Sequence, residues 1–599
     1  MTSATKPFLP ISRAEMDERG WEHVDFIVVT GDAYVDHPSF GHAIVGRFLE
    51  SLGFRVGIIP QPDWRSRADF ERLGRPRLGV MVSAGNLDSM LANYSAPGKR
   101  RSKDAYAPGG LTGRRPDRAT IVYCNRIREA FGDIPLIIGG IEASLRRVAH
   151  YDYWADDVRR SILVDSRADI LIYGMAENPL RALAQRLEAG ERIADITDIP
   201  GTCWKTHEIA RADNPLQLPS FEEVSRDKGK FAEAFKLFYP EQNAKDARQL
   251  IQDQGAWMLV HNPPAPPLST EEMDRVYALP YRRSAHPAYE KEGGVPALEE
   301  VRFGITSHRG CFGECAFCAI ASHQGRAIQR RSHESVVDEA RAISRMKDFK
   351  GYIHDVGGPT ANFREQPCGR VETDGVCRGR SCLFPEPCKN LRPSHRDYAR
   401  LLQKIRRLPG IKKVFVRSGL RYDYILADPD GRAFLEELCQ HHVSGQLKIA
   451  PEHASARVLK TMRKQRTQFT ERFVGIYNEI NAKLGKKQFL VCYYMSAHPG
   501  CGIAESHELM AFIQRTGLRS EQVQEFTPTP GTLSTCIYHT GLDPFSGEKV
   551  HVTRTNEGKR IQRALMQYWM PGNREIVGKQ FGSRERTESG RRGGKPRRA

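Results

Sequence analysis

Cys311, Cys315 and Cys318 stand in the stretch Ser307-His308-Arg309-Gly310-Cys311-Phe312-Gly313-Glu314-Cys315-Ala316-Phe317-Cys318. The spacing is C-x3-C-x2-C, with an aromatic residue before the third cysteine. Three thiolates this close cannot be bridged to one another without strain, but they can wrap one iron–sulfur cluster. Such clusters are usually held by four thiolates. With three, a 4Fe–4S cluster keeps one iron open, and an open iron can bind a substrate or cofactor. A structural zinc site or three unrelated core thiols are the alternatives. Zinc prefers four protein ligands, often in C-x2-C pairs, and no second pair stands at that spacing here.

A second group, Cys368, Cys377, Cys382 and Cys388, is spaced C-x8-C-x4-C-x5-C among Gly, Pro and Arg. The insertion lacks apolar periodicity for a packed element and would need a staple to hold its shape. A metal site, either a second Fe–S cluster or zinc, would supply one; a loop of free thiols is the alternative. Cys124, Cys203, Cys439, Cys492, Cys501 and Cys536 read as buried hydrophobes. His308, His323, His354, His453 and His498 fall near strand ends and could move protons, with His453 and His498 ranked first by their turn positions. There is no catalytic triad and no phosphate loop, so the catalytic residues stay unassigned.

These residues need a scaffold. Val301–Thr306 reads as a strand leading directly into the cysteine loop. Gly351–Val356 reads as a second, ending in Gly357-Gly358-Pro359-Thr360; Lys413–Val416 as a third, before Arg417-Ser418-Gly419; Gln446–Ile449 as a fourth, before Ala450-Pro451-Glu452-His453. Phe489–Met495 and Val523–Phe526 complete six, with helices between, for example over Glu334–Met346. Six β/α units alternate here, and in barrels of such units the active site sits at the carboxyl ends of the strands.

Residues 20–200 read as a separate α/β unit. Strand runs Asp25–Thr30, Arg55–Ile59, Leu78–Val82, Pro135–Gly140 and Asp169–Tyr173 alternate with helices such as Phe40–Leu52. Continuous apolar runs imply a parallel sheet covered on both faces. Ligands of such sheets bind beyond the carboxyl ends of the strands, where Asp32, Asp36, His37, Ser83–Asn86 and Gly139–Glu142 fall. Residues 92–118 form a long basic insertion. Segments Phe221–Phe238 and Asn243–Gln254 read as charged helices, and His261-Asn-Pro-Pro-Ala-Pro-Pro-Leu-Ser as a stiff extended linker.

At 599 residues the chain exceeds a single core. The expected division is 1–200, an α/β domain; 201–295, a mixed helical connector; 296–570, the barrel with a Cys-rich insertion over 365–392; and 571–599, a basic tail. The first twenty residues lack an apolar signal region, and no apolar run is long enough to span a membrane. Seven of the 13 cysteines lie between Cys311 and Cys388, which suits metal binding in a reducing cytosol better than a disulfide framework. A cytoplasmic protein with no membrane contact is expected. Net charge is +18, and Gly582–Ala599 carries seven Arg/Lys against two Glu. The tail reads as disordered and solvated, with electrostatic contact to RNA or DNA as the functional alternative.

The cysteine spacing, with Phe317 before the last Cys, resembles the signature of the radical S-adenosylmethionine (SAM) superfamily, and the chain from about 255 to 570 resembles its YgiQ family. The residues that carry the second likeness are Asn262–Ser269, Ser307–Ile320, His323-Gln-Gly-Arg326, Lys448–His453 and Ala497–Gly500, with Gly139–Arg147 and His150–Trp154 earlier in the chain. The resemblance implies a partial (β/α)6 barrel and a 4Fe–4S cluster on Cys311, Cys315 and Cys318. It implies SAM on the open iron, reductive cleavage to a 5′-deoxyadenosyl radical, and an electron donor such as flavodoxin or ferredoxin. It names no substrate. Candidate SAM contacts are Phe317, Gly357, Gly358 and Pro359, whose turn stands where the superfamily has Gly-Gly-Glu, and Arg417, Ser418, Lys448 and Glu452 for the carboxylate and ribose. An Fe–S-bearing RNA-binding or RNA-modifying protein, acting by methylation or methylthiolation, is the alternative.

The N-terminal unit resembles a cobalamin-binding domain in Asp36-His37-Pro38-Ser39-Phe40-Gly41. Cobalt-ligating members carry Asp-x-His-x-x-Gly; here Pro38 occupies the His position and His37 comes one place early. The shift argues against a histidine on cobalt and against cobalamin as a cofactor. A flavodoxin-like domain without it is expected, and a cobalamin held with no protein ligand is the alternative.

Overall fold

The computed structural model describes residues 6–207, 215–521 and 523–580. The N-terminal sheet begins with β1 (Phe26–Thr30), α1 (Gly41–Ser51), β2 (Val56–Pro60), β3 (Gly79–Ser83), β4 (Leu136–Ile138), α2 (Gly140–Leu145), β5 (Ile170–Ile172) and α3 (Glu177–Glu188). All five residues of β1 and of β2 are buried, as a strand with helices on both faces requires. These five strands are parallel, in the order β2-β1-β3-β4-β5, with Phe26 opposite Val56 on one side and Gly79 on the other. That is the flavodoxin-like order, with its switch point between β1 and β3. One apolar cluster around Val28, Met81, Ile137 and Ile172 fills one face and a second around Ile27, Val80 and Ile138 the other.

The sheet does not end near residue 200. Four more strands, β6 (Thr202–Thr206), β7 (Leu216–Gln217), β8 (Leu250–Asp253) and β9 (Met258–His261), extend it in the order β5-β6-β9-β8-β7. The β5–β6, β6–β9 and β8–β9 pairings are antiparallel, so the sheet is mixed. The expected connector is therefore largely part of the first domain, and Asn243–Gln254, expected as a helix, holds β8. Its strand is short and carries Gln252 and Asp253, so the sequence there shows no alternation. Phe221–Arg226 and Lys228–Phe238 are helices.

The proline run is anchored at both ends. Tyr173 donates its hydroxyl to Asn262 O (2.7 Å), and Leu268 N donates to Gln329 Oε1 (3.0 Å) in the barrel. It straps the two halves together.

The barrel comprises β10 (Gly304–Thr306), α4 (Ile320–Gln324), β11 (Asp355–Gly357, prolonging Tyr352–Ile353), β12 (Lys413–Val414), β13 (Gln446–Glu452), β14 (Phe489–Ser496) and β15 (Val523–Glu525). Gly304 pairs with Asp355, Tyr352 with Lys413, Leu420 with Ile449, Gln446 with Phe489 and Tyr494 with Val523, every pairing parallel. Six strands thus follow one another in chain order, as the sequence predicts. Helix His333–Ser344 and others pack Val336, Ala340, Leu401 and Phe473 over Ile305, Val356 and Leu447.

Residues 571–580 form a turn and a helical segment, not a disordered tail; from 581 onward the expected tail lies outside the described residues. No helix among the described residues is long and apolar enough to cross a membrane.

Candidate functional site

The cysteine loop leaves β10 at its carboxyl end and meets the loop that follows β11. Cys311 Sγ lies 3.5 Å from Thr360 Oγ1, one residue past the Gly357-Gly358-Pro359 turn. Two glycines let the chain run this tightly. Gly310, at φ +86°, has Ala327 O where a Cβ would stand, and a Cβ on Gly358 would lie 2.6 Å from His308 Nε2. Glu314, between the first two cysteines, holds φ +44°, and Glu452 holds φ +67° after a register shift in β13. Non-glycine residues in this region are strained and cluster at functional sites.

Cys311 and Cys318 are both raised, by burial and in part by the neighbouring Cys315. Burial first, then Cys315 and Cys311, pushes the Cys318 thiol up to about 12, and burial raises Cys311. A cation offsets this. Arg421 is buried; its Nη1 faces Cys315 Sγ at 3.5 Å and donates to Gly313 O (3.3 Å), while Nε donates to Asp423 Oδ1 (2.9 Å). Buried Glu452, its carboxyl raised by burial against Lys464 and Arg421, lies beside Cys318. Among the described residues no three Cys, His, Asp or Glu converge tightly enough for a single ion. Three neighbouring thiols on one loop, with a guanidinium alongside Cys315, are a donor set that fits a larger, anionic 4Fe–4S cluster.

A cavity of about 570 Å³ lies between the sheet and the barrel, within the range of small-molecule sites. Its floor is apolar, from Val28, Met81, Ile137 and Ile172 of the sheet and Val45 and Phe48 of α1. Its upper wall carries His308, Arg309, Asp355, Gly357, Gly358, Pro359 and Ser418 from the barrel mouth. Glu177 of α3 and Arg309 form a buried ion pair across the seam (2.6 Å), and Arg309 Nε donates to Tyr277 Oη (3.1 Å). Glu177 Oε2 and Arg309 Nη2 are buried without a partner. Buried polar atoms without a partner are costly, and both residues line this cavity.

The expected SAM contacts divide. Gly357, Gly358, Pro359 and Ser418 line the cavity. Ser418 Oγ donates to Asp355 Oδ2, and the backbone N–H groups of Arg417 (2.8 Å) and Ser418 (3.2 Å) donate to Asp355 Oδ1. Arg417 itself is exposed, and neither it nor Lys448 or Glu452 lines the cavity. Phe317 packs edge-on to His498, ring centroids 6.0 Å apart, in a neighbouring apolar cluster.

His453 and His498 do not suit the proton-moving role in which they ranked first. Both are buried, lowered to about 3 by burial, and absent from the cavity. His453 Nδ1 accepts from Ser455 N (3.0 Å); His498 bonds Pro499 O (2.8 Å) and Ser534 Oγ (2.6 Å). His308 and His323 do line it. Their partners are Ser307 and Thr360 for His308, and Ser144 Oγ (3.0 Å), across the seam, for His323.

Beyond the sheet's carboxyl edge, the basic insertion is folded down. Arg115 pairs with Asp32 (2.9 Å) and Asp104 (3.2 Å), all buried. Asp36 pairs with Arg47 (2.5 Å) in full burial, and His37 Nδ1 accepts from Ser39 N (3.0 Å). His37 does not line the cavity; its neighbours are Arg283, Val301 and Arg302. Sequence reasoning did not single out Arg309, Glu177, Arg421, Thr360 or Asp355. Arg309 carried a signal, its place two residues before Cys311.

A six-strand parallel partial barrel with three cysteines on the loop after its first strand defines the chain as a radical SAM enzyme, and the "Radical SAM N-terminal" family model matches residues 8–304. The chain belongs to the UPF0313 family. It is 54% identical over 570 residues to a UPF0313 protein of Clostridium botulinum strain 657, covering 95% of this chain and 89% of the relative. Against a UPF0313 protein of Clostridium perfringens ATCC 13124 the identity is 53% over 571 residues, covering 95% and 86%. A "domain of unknown function" model, DUF3362, matches residues 521–588.

Among solved structures, the chain is similar to the radical SAM methyltransferase TsrM of Kitasatospora setae with cobalamin and a [4Fe-4S] cluster bound (14% identity, TM-score 0.47, covering 85% of this chain and 73% of that one). It is also similar to the cobalamin-dependent radical SAM enzyme OxsB (11%, 0.45, 84% and 53%).

Proposed function

We propose that Cys311, Cys315 and Cys318 hold a 4Fe–4S cluster whose open iron takes SAM, and that the cavity beneath receives the substrate. The observation that carries this reading is the meeting of Cys311 with Thr360, which sets the cysteine loop against the Gly357–Pro359 turn at the rim of the cavity. When bound and reduced by an external one-electron donor, the cluster supplies the electron that cleaves SAM to methionine and a 5′-deoxyadenosyl radical.

The chain's own residues position and shield. Arg421 places a fixed positive charge beside the thiolates and offsets the anionic cluster they would form. The Gly357-Gly358 backbone allows close approach of the SAM methionine. Asp355, by holding Ser418, shapes the rim above the apolar floor. The buried Arg309–Glu177 ion pair fixes the cavity wall where the sheet meets the barrel.

Pro38 in the histidine position excludes only a histidine ligand to cobalt. The cavity beside that loop, lined by Pro38, Ser39 and Gly41, is open and apolar, so a corrinoid without a protein ligand stays in play. Iron and cobalt quantification on anaerobically purified protein decides it.

Anaerobic reconstitution followed by dithionite and SAM should yield 5′-deoxyadenosine, and Cys315→Ala should abolish both cluster and product. SAM cleavage that survives Cys315→Ala would sink the proposal.

A further inference from the structure

The four cysteines of the insertion line one small cavity of about 20 Å³, with Arg370, Arg380 and Ser381 beside them. They span 21 residues with only one short helix, Arg370–Asp374, between. Local hydrogen bonds hold the turns: Cys388 N to Cys382 O (2.9 Å), Leu391 N to Cys388 O (2.8 Å) and Arg392 N to Pro367 O (2.9 Å). The four cysteines thus line one space although they come from separate turns.

The loop is also fixed from outside. Arg378 pairs with Glu241 (2.6 Å) and Asp246 (3.1 Å), Val376 N donates to Asn243 Oδ1 (3.2 Å), and Gln465 Nε2 donates to Leu383 O. Arg326 links it to the first cysteine loop, pairing with Glu314 and donating to Cys377 O. Cys382 and Cys311 border the same apolar cluster, built on Phe312, Phe363 and Tyr424, with Phe312 and Phe363 stacked 3.8 Å apart. One residue of each cysteine group therefore borders the same aromatic cluster.

Ser381 Oγ is buried with no partner at this cavity, and two arginines border it. A single tetrahedral zinc needs all four sulfurs about 2.3 Å from one point, and no such convergence exists among the described residues. A cubane spreads its four thiolates further apart, and four thiolates leave it anionic, which Arg380 at the cavity would offset, Arg370 being paired with Asp374 (3.0 Å).

We infer that Cys368, Cys377, Cys382 and Cys388 ligate a second 4Fe–4S cluster, with all four irons coordinated by cysteine and none open to SAM. The test separates this site from the first. The Cys311→Ser/Cys315→Ser/Cys318→Ser chain, reconstituted anaerobically, should retain about four irons and about four sulfides with the absorption of a cubane. No iron, or one stoichiometric zinc, overturns the inference. The unsubstituted chain should hold about eight irons, and Cys382→Ser/Cys388→Ser about four while still cleaving SAM. About four irons in the unsubstituted chain with none in the triple variant overturns it equally.

Discussion

Glu177 and Arg309 face each other across the seam at 2.6 Å, each with one buried atom left unpartnered. Breaking such a pair from one side strands the other charge. Arg309→Met should cost about 3–5 kcal/mol of unfolding free energy, whereas Arg309→Met/Glu177→Leu should cost clearly less. Denaturant unfolding of the two variants compares them directly. Equal losses would mean that packing, not charge, dominates the seam.

Arg421 faces the Cys315 thiol at 3.5 Å. Arg421→Lys should leave SAM cleavage close to normal, while Arg421→Met should lower the cluster's reduction potential and slow cleavage at a fixed reductant, with iron content kept. A redox titration followed by electron paramagnetic resonance reads the shift. An unchanged potential in Arg421→Met rules out the electrostatic role.

Gly358 has no room for a side chain, its would-be Cβ lying 2.6 Å from both His308 Nε2 and His308 O. Gly358→Ala should therefore displace the turn and raise the KM for SAM by roughly tenfold to a hundredfold, with the iron count unchanged. Normal SAM affinity would move the binding site away from this turn.

Asp32 and Asp104 share the single guanidinium of Arg115, which leaves one negative charge buried. Burial pushes Asp32 up to about 6, above its unfolded value of about 3.9. Between about pH 4 and 6 the folded chain holds the extra proton, so stability falls as pH rises through that window and levels off above it. The fall should be on the order of 1–3 kcal/mol. Asp32→Asn should remove this component, visible as a flatter pH dependence than the unsubstituted chain shows. An identical slope in both would place the titration elsewhere.

The barrel strands were readable because each apolar run ends in Gly, Pro or polar residues, and chain order equals spatial order. β6 to β9 were not. They are short, carry Lys205, Gln252 and Asp253, and are fixed by pairing with β5 and one another instead of by local pattern. The cysteine triad was visible because its chemistry lies in spacing along the chain. The Arg309–Glu177 bond joins residues 132 positions apart, and Arg421 lies 106 from Cys315, so nothing local announces either. Asp36 shows the converse: a recognisable local pattern whose carboxylate is taken up by Arg47.

The helix that follows the third cysteine, α4, rests on α2 through His323 and Ser144. The sheet is complete by His261, before any residue of the triad is synthesised. Domains fold as units, the earlier ones first, as the chain emerges from the ribosome. The nascent cysteine loop thus meets a finished wall to settle against, and its thiols gather next to protein instead of waiting in open solvent, where oxidation and stray metals compete for them.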